Sequence, residues 1–304
     1  MEHVGSIIKG LRQLEPELRI SKQQAKRIES IELVRQQRDE RKQSLLFNSR
    51  PFLLCSLPIR RPSSGTLLHE RRNGSFFLQV CGHPNFGLPY GQDRLVPIWV
   101  ATQAVRLRRR EIKFSAAAEI LNELGLPPDG IHYRRLIESF QRVFASTIYF
   151  GDEKSQAVWN CGRFNYFDRL RLWRPLGAGD AASGEENIVT ISESFYQELC
   201  EHPVPIEREV IRALAHSPGA LDFYMWLVWR SYGRSGQQRV PILGETGLIK
   251  QVGCSDYGRA RDFARTVRRW LITVRQLWPD CPAHIDPDGN ALIIRPCRVI
   301  HSAL

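Results

Sequence analysis

The strongest constraint on this chain is the segment 255–278, SDYGRARDFARTVRRWLITVRQLW, which predicts one amphipathic helix. At about 100° per residue its large apolar side chains fall on one face; they are Phe263, Val267, Trp270, Leu271, Val274 and Leu277. Four arginines fall on the opposite face, called the arginine face below: Arg261, Arg265, Arg268 and Arg269. Ser255 and Asp256 are suitable caps for the start of this helix, and Pro279 ends it.

The arginine face indicates an anionic partner. Solvated helix faces usually mix Glu with Lys four residues apart, because such pairs stabilise the helix. Here four like charges lie within nine residues, and only Asp262 supplies a nearby negative charge. An ordinary solvated face is the alternative interpretation, but the charge pattern favours a helix that contacts DNA.

The composition supports a polyanionic partner. The chain has 304 residues, with 43 Lys and Arg against 32 Asp and Glu and a formal net charge of +11. Long-range attraction and counterion release favour nucleic acid as the partner of such a chain. No apolar run approaches the roughly 20 residues that span a bilayer, and the first residues, MEHVGSIIKG, lack the apolar region of a signal peptide. We therefore expect a cytoplasmic protein without a membrane contact.

No enzymatic or cofactor site is predicted. Seven cysteines are scattered without a CxxC pair, and the eight histidines form no HExxH, so neither a metal nor a disulfide framework is indicated. The segments GHPNFGLPYG (82–91) and GETGLIK (244–250) lack the Lys-Ser/Thr ending of a nucleotide-binding loop. A relaxase or nuclease needs a metal site of histidines or carboxylates, and Asp286 and Asp288 lie where they more simply make a turn.

From Asp93 onwards one module occurs twice. The first copy is predicted as helix 94–108, strand 111–114, helix 115–124, a third helix at 131–146, and strands over 147–173 that turn near Gly151 and Asp152. The second copy is predicted as helix 221–232, strand 239–242, helix 244–251, the arginine-face helix, and two strands around 286–289. Leu136, Phe140, Val143 and Phe144 recur 127 residues later as Phe263, Val267, Trp270 and Leu271, and the same offset relates Trp99 to Trp226. Two helices with one offset indicate an internal duplication.

This order of elements is typical of a winged helix, whose third helix enters the major groove. The predicted fold class is α+β, mainly α, with two tandem winged-helix domains and a basic helical N-terminal extension. The predicted boundaries are 1–65 for the extension, with a helix at 21–46, then 66–176, a linker at 177–187, and 188–304. The extension is either a partly mobile solvated helix or a segment that folds on DNA or a partner. Asn73 and Gly74 predict a tight hairpin turn in the first domain.

The predicted DNA contacts lie mainly in the second copy. We expect Arg261, Arg265 and Arg268 to read bases, and Arg259, Arg269, Arg275 and Lys250 to contact phosphates; each of the latter is alternatively solvent-exposed. In the first copy Arg134, Arg135 and Arg142 share their face with Glu138, so fewer DNA contacts, an association role or a solvated surface are all open.

Four long phrases resemble plasmid replication initiators of the RepA type: FGLPYGQDRLVPIWVATQAV (86–105), GLPPDGIHYRRLIESFQRVFASTIYFG (125–151), TISESFYQEL (190–199) and ALDFYMWLVWRSY (220–232). The resemblance covers roughly residues 80 to 300. It implies two winged-helix domains, binding to repeated sites (iterons) in double-stranded DNA at a plasmid origin, and recruitment of the host initiator and replicative helicase. It also implies homodimers that repress the protein's own promoter. A plain winged-helix repressor is the alternative function, and no catalytic residue is expected.

Overall fold

The computed structural model describes residues 22–155, 158–172, 186–232, 235–253 and 260–298, of which 45% are helical and 25% lie in strands. The helices are α1 (Lys22–Asp39), α2 (Arg50–Leu54), α3 (Leu95–Leu107), α4 (Ala117–Glu123), α5 (Gly130–Phe144), α6 (Glu193–Glu201), α7 (Arg208–Leu214), α8 (Pro218–Ser231), α9 (Leu248–Val252) and α10 (Ala260–Leu277). The strands are β1 (Leu45–Ser49), β2 (Leu68–Asn73), β3 (Phe76–Cys81), β4 (Glu111–Phe114), β5 (Thr147–Ser155), β6 (Val158–Asn165), β7 (Phe167–Arg171), β8 (Asn187–Ile191), β9 (Pro203–Glu207), β10 (Gln238–Pro241), β11 (Ala283–Ile285) and β12 (Ala291–Ile294). The α+β class is confirmed, with more helix than strand.

The first module contains α3, β4, α4 and α5, followed by the β5–β6 hairpin. This hairpin extends a four-stranded antiparallel sheet in the order β2–β3–β5–β6. The predicted β2–β3 hairpin is present, but it turns one residue later than predicted, at Gly74 and Ser75, because Asn73 still pairs with Phe76. Gly74 takes the positive φ of 63° that the first turn position requires. The predicted turn at Gly151 and Asp152 is wrong, since both residues lie inside β5 and pair with β3 and β6.

The second module contains α8, β10, α9 and α10, followed by β11 and β12. Its three strands form an antiparallel sheet in the order β10–β12–β11. Helix α8 begins at Pro218, three residues before the predicted start at 221, and proline suits this first position because its missing amide needs no partner there. The predicted apolar stripe of α10 packs against this module, and Phe263 and Val267 within it are fully buried. The predicted caps Ser255 and Asp256 lie outside the described residues.

The predicted boundary near residue 187 is wrong. Strand β8 lies between β4 and β7 in one antiparallel sheet, so the chain returns to the first module after the predicted linker. Apolar packing explains this return, because Val189 and Ile191 of β8 are fully buried together with Ile112 of β4. Ser192 then caps α6 by accepting a hydrogen bond from the Phe195 amide, as its position predicts. The predicted linker itself lies almost entirely outside the described residues.

The N-terminal segment is not a separate extension over its described part. Strand β1 pairs with β9 along its full length, and α2 buries Phe52 and Leu53. Helix α1 ends at Asp39, short of the predicted position 46, because the residues of β1 are taken up by this pairing. Arg38 at the end of α1 donates to Glu207 of β9, at 2.5 and 2.8 Å, and to the carbonyl of Leu277, the last residue of α10. The segment therefore helps to hold the arginine-face helix in place.

A buried ion pair links the two modules. The guanidinium of Arg94, just before α3, pairs with the carboxylate of Asp222 in α8, and each side chain is only 4% exposed. The same guanidinium donates to the backbone carbonyl of Pro58 at 2.8 Å. One apolar core of buried residues runs through both modules. Among the described helices, none is both long and apolar enough to cross a membrane.

Helix α8 crosses the arginine-face helix at Gly219, and alanine at this position is expected to destabilise the fold. A Cβ built on Gly219 would overlap the indole ring of Trp270, with the Cε2 atom at 2.8 Å. Overpacking of this kind costs about 1–3 kcal/mol. Urea unfolding of Gly219→Ala measures this cost, and Gly130→Ala is the matched control because its Cβ would meet nothing within 4 Å. Equal stability of the two variants would contradict the observed helix crossing.

Candidate nucleic-acid interface

The arginine face of α10 points away from the core, as predicted. Arg261, Arg265, Arg268 and Arg269 are all exposed, whereas Leu271 and Val274 on the opposite face are buried. The Arg265 guanidinium is 69% exposed and makes a weak contact with Asp262 at 3.4 Å. The Arg269 guanidinium donates to the Thr266 hydroxyl at 3.2 Å. These contacts are local and surface-exposed, so a phosphate or a base edge can replace them at low energetic cost.

The β11–β12 turn lies beside the arginine face. Arg268 donates to the carbonyl of Gly289 in this turn at 3.2 Å. The turn is built by Asp286, whose carboxylate accepts from the Asn290 and Ala291 amides at 2.8 and 2.9 Å. These bonds, with one from Arg239, hold the pKa of Asp286 below its usual value. Asp286 therefore shapes the turn, as its sequence position predicts, and brings the strand pair to the same surface as α10.

The other predicted DNA contacts of the second module are Arg275, Lys250 and Arg259. Arg275 is exposed and donates to the carbonyl of Ala283 at 2.8 Å, so it also anchors the strand pair. Lys250 pairs with Glu245 at 3.3 Å, and both side chains are largely exposed. Arg259 lies outside the described residues. By the helical period Arg275 lies at the edge of the arginine face, beside Arg268. The phosphate contacts of Arg275 and Lys250 stay predictions.

In the first module the predicted residues separate into two groups. Arg134 and Arg135 are exposed on α5. Arg142 is only 14% exposed, and it donates to both carboxylate oxygens of Asp93 at 2.6 and 3.0 Å. Its guanidinium also lies over the ring of Tyr90, 4.8 Å from the centroid. Arg142 is therefore held inside the protein and does not present its guanidinium to DNA, in contrast to the predicted contact.

Sequence reasoning missed Ile272, which lies at the centre of the arginine face. At about 100° per residue it falls between Arg265 and Arg268. Its side chain is 61% exposed, whereas the apolar residues on the other face of α10 are buried. The signal was present in the sequence, because Ile272 is the one large apolar residue of the helix that does not follow the apolar stripe. An exposed apolar side chain among arginines is suited to contact the methyl group of thymine.

The potential metal ligands and the free thiols of the described residues are dispersed. No group of three or more His, Cys, Asp or Glu side chains among them is arranged to hold a metal ion. Their six free cysteines include Cys55, whose thiol is buried with a pKa raised above its usual value by desolvation. An inert buried thiol of this kind is a packing residue and not a nucleophile.

Comparison with known proteins identifies the family. Residues 88–240, half of the chain, match the family described as plasmid encoded RepA protein. The chain therefore belongs to this family of plasmid replication initiators. The match ends within β10, before the arginine-face helix begins. No curated protein matches the sequence.

The fold is also found in solved structures of RctB. The structure of RctB domains 2-3 has a TM-score of 0.54 at 13% sequence identity, over 83% of this chain and 98% of that chain. Domains 2 and 3 of RctB as selenomethionine derivatives give a TM-score of 0.52 at 12% identity, over 74% of this chain and 85% of that chain. At this identity the likeness shows a shared fold.

Proposed function

We propose that this protein initiates plasmid replication by binding repeated sequences at the plasmid origin with the arginine face of α10. The observation that carries the proposal is the exposed arginine face with a strand pair beside it, in a chain of the RepA family. The family supports replication as the process, and the charge of the surface supports double-stranded DNA as the ligand. The protein acts in the bacterial cytoplasm by binding and without catalysis.

Two tandem winged helices are the finer description that we propose for the fold. Strand β4 begins at Glu111 and β10 at Gln238, 127 residues later, which repeats the offset between the paired helices. The related tryptophans also make the same kind of contact. The Trp99 indole donates to Glu123 at the end of α4, and the Trp226 indole donates to Gln251 in α9, at 2.8 and 2.9 Å. The copies differ because β8 is inserted beside β4 in the first.

The two modules make different contacts with DNA. In the second module α10 enters the major groove, where Arg261, Arg265 and Arg268 contact base edges and Arg269, Arg275 and Lys250 contact phosphates. In the first module Arg134 and Arg135 contact the backbone of a neighbouring DNA segment. Homodimers repress the protein's own promoter, and the host initiator and replicative helicase are recruited at the opened origin, as family membership suggests.

Ile272 is expected to read a thymine methyl group. Replacing the thymines of the repeat one at a time by uracil removes only the 5-methyl group, and we expect one position to weaken wild-type binding about 3- to 10-fold. Ile272→Ala should bind the thymine repeat with that same loss and should be insensitive to uracil at that position. A fluorescence binding titration measures both. Equal uracil sensitivity of wild type and Ile272→Ala would contradict the contact.

The replication role is tested with a plasmid that has a single origin. This origin consists of the DNA repeats that lie next to the gene for this protein. We expect it to replicate when the wild-type chain is supplied, and to fail with Arg265→Ala. Strand opening at the origin by the purified protein is the second readout. Promoter binding without replication or strand opening would contradict the proposal and would instead support a plain repressor.

A further inference from the structure

A cleft beside the arginine face contains an arginine from the N-terminal segment. The cleft has a volume of about 540 Å³ and lies where α10 passes the start of α8. Arg265 and Arg269 of α10 line one wall, and Arg60 lines the other, next to Ile59. Arg60 is exposed and lies outside the residues that match the RepA family. The folded chain therefore adds a cation to the arginine face from a position 205 residues earlier than Arg265.

The backbone just before Arg60 is fixed by hydrogen bonds at residues 56 and 58. The Ser56 amide donates to the Gln251 carbonyl at 3.0 Å, and the Gly91 amide donates to the Pro58 carbonyl at 2.9 Å. Pro58 also accepts from the buried guanidinium of Arg94. Residues 55–58 are buried, whereas Arg60 itself projects to the surface. A cation on a fixed backbone loses less conformational entropy when it binds a ligand than one on a free tail.

The charges in the cleft favour an anion. Three guanidinium groups, from Arg60, Arg265 and Arg269, face one carboxylate, that of Asp262. Within the part of the chain that the structure describes, the Asp262 carboxylate pairs with Arg265 at 3.4 Å. Both side chains are well exposed, so this pair is weak. Guanidinium groups bind phosphate oxygens with two parallel hydrogen bonds. The cleft borders the arginine face, which is proposed to enter the major groove. The sugar-phosphate backbone of the DNA runs along the edge of that groove, so a phosphate can reach the cleft.

We propose that this cleft binds a backbone phosphate of the DNA and that Arg60 is a DNA contact supplied by the N-terminal segment. The inference rests on the proposed function, because α10 must lie on DNA for the phosphate to reach the cleft. It gives residues 45–61 a role beyond packing, since the β1 and α2 region positions Arg60 beside the arginine face. A phosphate contact adds affinity for every sequence and fixes the register of α10 on the duplex.

Arg60→Ala is expected to weaken binding about 10-fold on the repeat and by the same factor on scrambled DNA. The slope of log K against log salt should fall by about 0.9, the value for one phosphate. Neutral methylphosphonate substitution then locates the contact. One substituted position of the repeat should weaken the wild type and leave Arg60→Ala unaffected. Arg60→Lys keeps the charge and should retain most of the slope.

Arg61→Ala is the matched control, because it removes the same charge from the next, exposed residue, which does not line the cleft. An equal loss in Arg61→Ala and Arg60→Ala, or a methylphosphonate profile unchanged in Arg60→Ala, would overturn the proposal. Thermal melting confirms that each variant is folded. A wild-type protein that does not distinguish the repeat from scrambled DNA would overturn the proposed function instead, and the Arg60 slope can still be read on either DNA.

Discussion

Replacing Asp222 by alanine is expected to lower the free energy of unfolding by about 3–5 kcal/mol. The carboxylate of Asp222 is the charge partner of Arg94, and both side chains are 4% exposed. Without it, the Arg94 guanidinium keeps hydrogen bonds to backbone carbonyls, including that of Pro58 at 2.8 Å, but its buried charge loses this compensation. Urea unfolding followed by circular dichroism measures the change.

Two further variants test this explanation. The double variant Arg94→Met with Asp222→Leu removes both charges and should recover a large part of the lost stability, because apolar side chains of similar volume replace a buried pair well. Glu153→Ala breaks the surface pair with Arg72, in which both side chains are 42% exposed, and should cost less than about 1 kcal/mol. If the Asp222→Ala variant is as stable as Glu153→Ala, the buried charge of Arg94 does not need the Asp222 carboxylate.

Simultaneous replacement of Arg261, Arg265 and Arg268 by alanine is expected to weaken binding to the cognate repeat at least about 100-fold. Base contacts by arginine discriminate by roughly 1–3 kcal/mol each, so even the lower value for three residues gives this loss. Stability should change little, because the three side chains are exposed and their contacts are local. A binding titration and a thermal melt of the same sample measure the two quantities.

The control for this triple variant removes the same charge elsewhere. Arg41, Arg109 and Arg169 are exposed on other parts of the chain. Their replacement by alanine should lower binding to all DNA modestly and equally, since only long-range attraction changes. If the two triple variants lose the same affinity for the repeat, the arginine face does not read sequence. If the first variant unfolds, its residues are structural.

Local patterns predicted the elements that α10 and its neighbours form. Apolar spacing predicted the buried face of the helix. The position of Asp286 predicted a turn, because that turn depends on residues at most five positions away. The same spacing also predicts that Ile272 lies on the arginine face. Its exposed position follows from the helical period once the burial of the opposite stripe is accepted.

The pairing of distant segments could not be predicted in this way. Strand β1 pairs with β9, and β8 joins β4 across the predicted linker, yet each strand alone shows only a short apolar pattern. Arg142 looked like a free cation on its helix, because its partner Asp93 lies 49 residues earlier. Arg60 gave no signal at all, since its position beside Arg265 arises from the packing of the N-terminal segment on α8.

The family match and the arginine face cover different parts of the molecule. The match ends at residue 240, and α10 begins at Ala260. Family membership therefore supports replication as the process, whereas the proposed reading of DNA sequence rests on the exposed arginines of α10. A measurement of DNA binding tests the arginine face most directly.

That measurement is a binding titration of the full chain on direct repeats from the adjacent plasmid origin and on scrambled DNA of equal length, at several salt concentrations. The account predicts tight binding to the repeats that persists at physiological salt, together with weaker binding to scrambled DNA that falls steeply with salt. Equal binding to both DNAs with the same steep salt dependence would contradict it, because the arginine face would then supply charge without reading sequence.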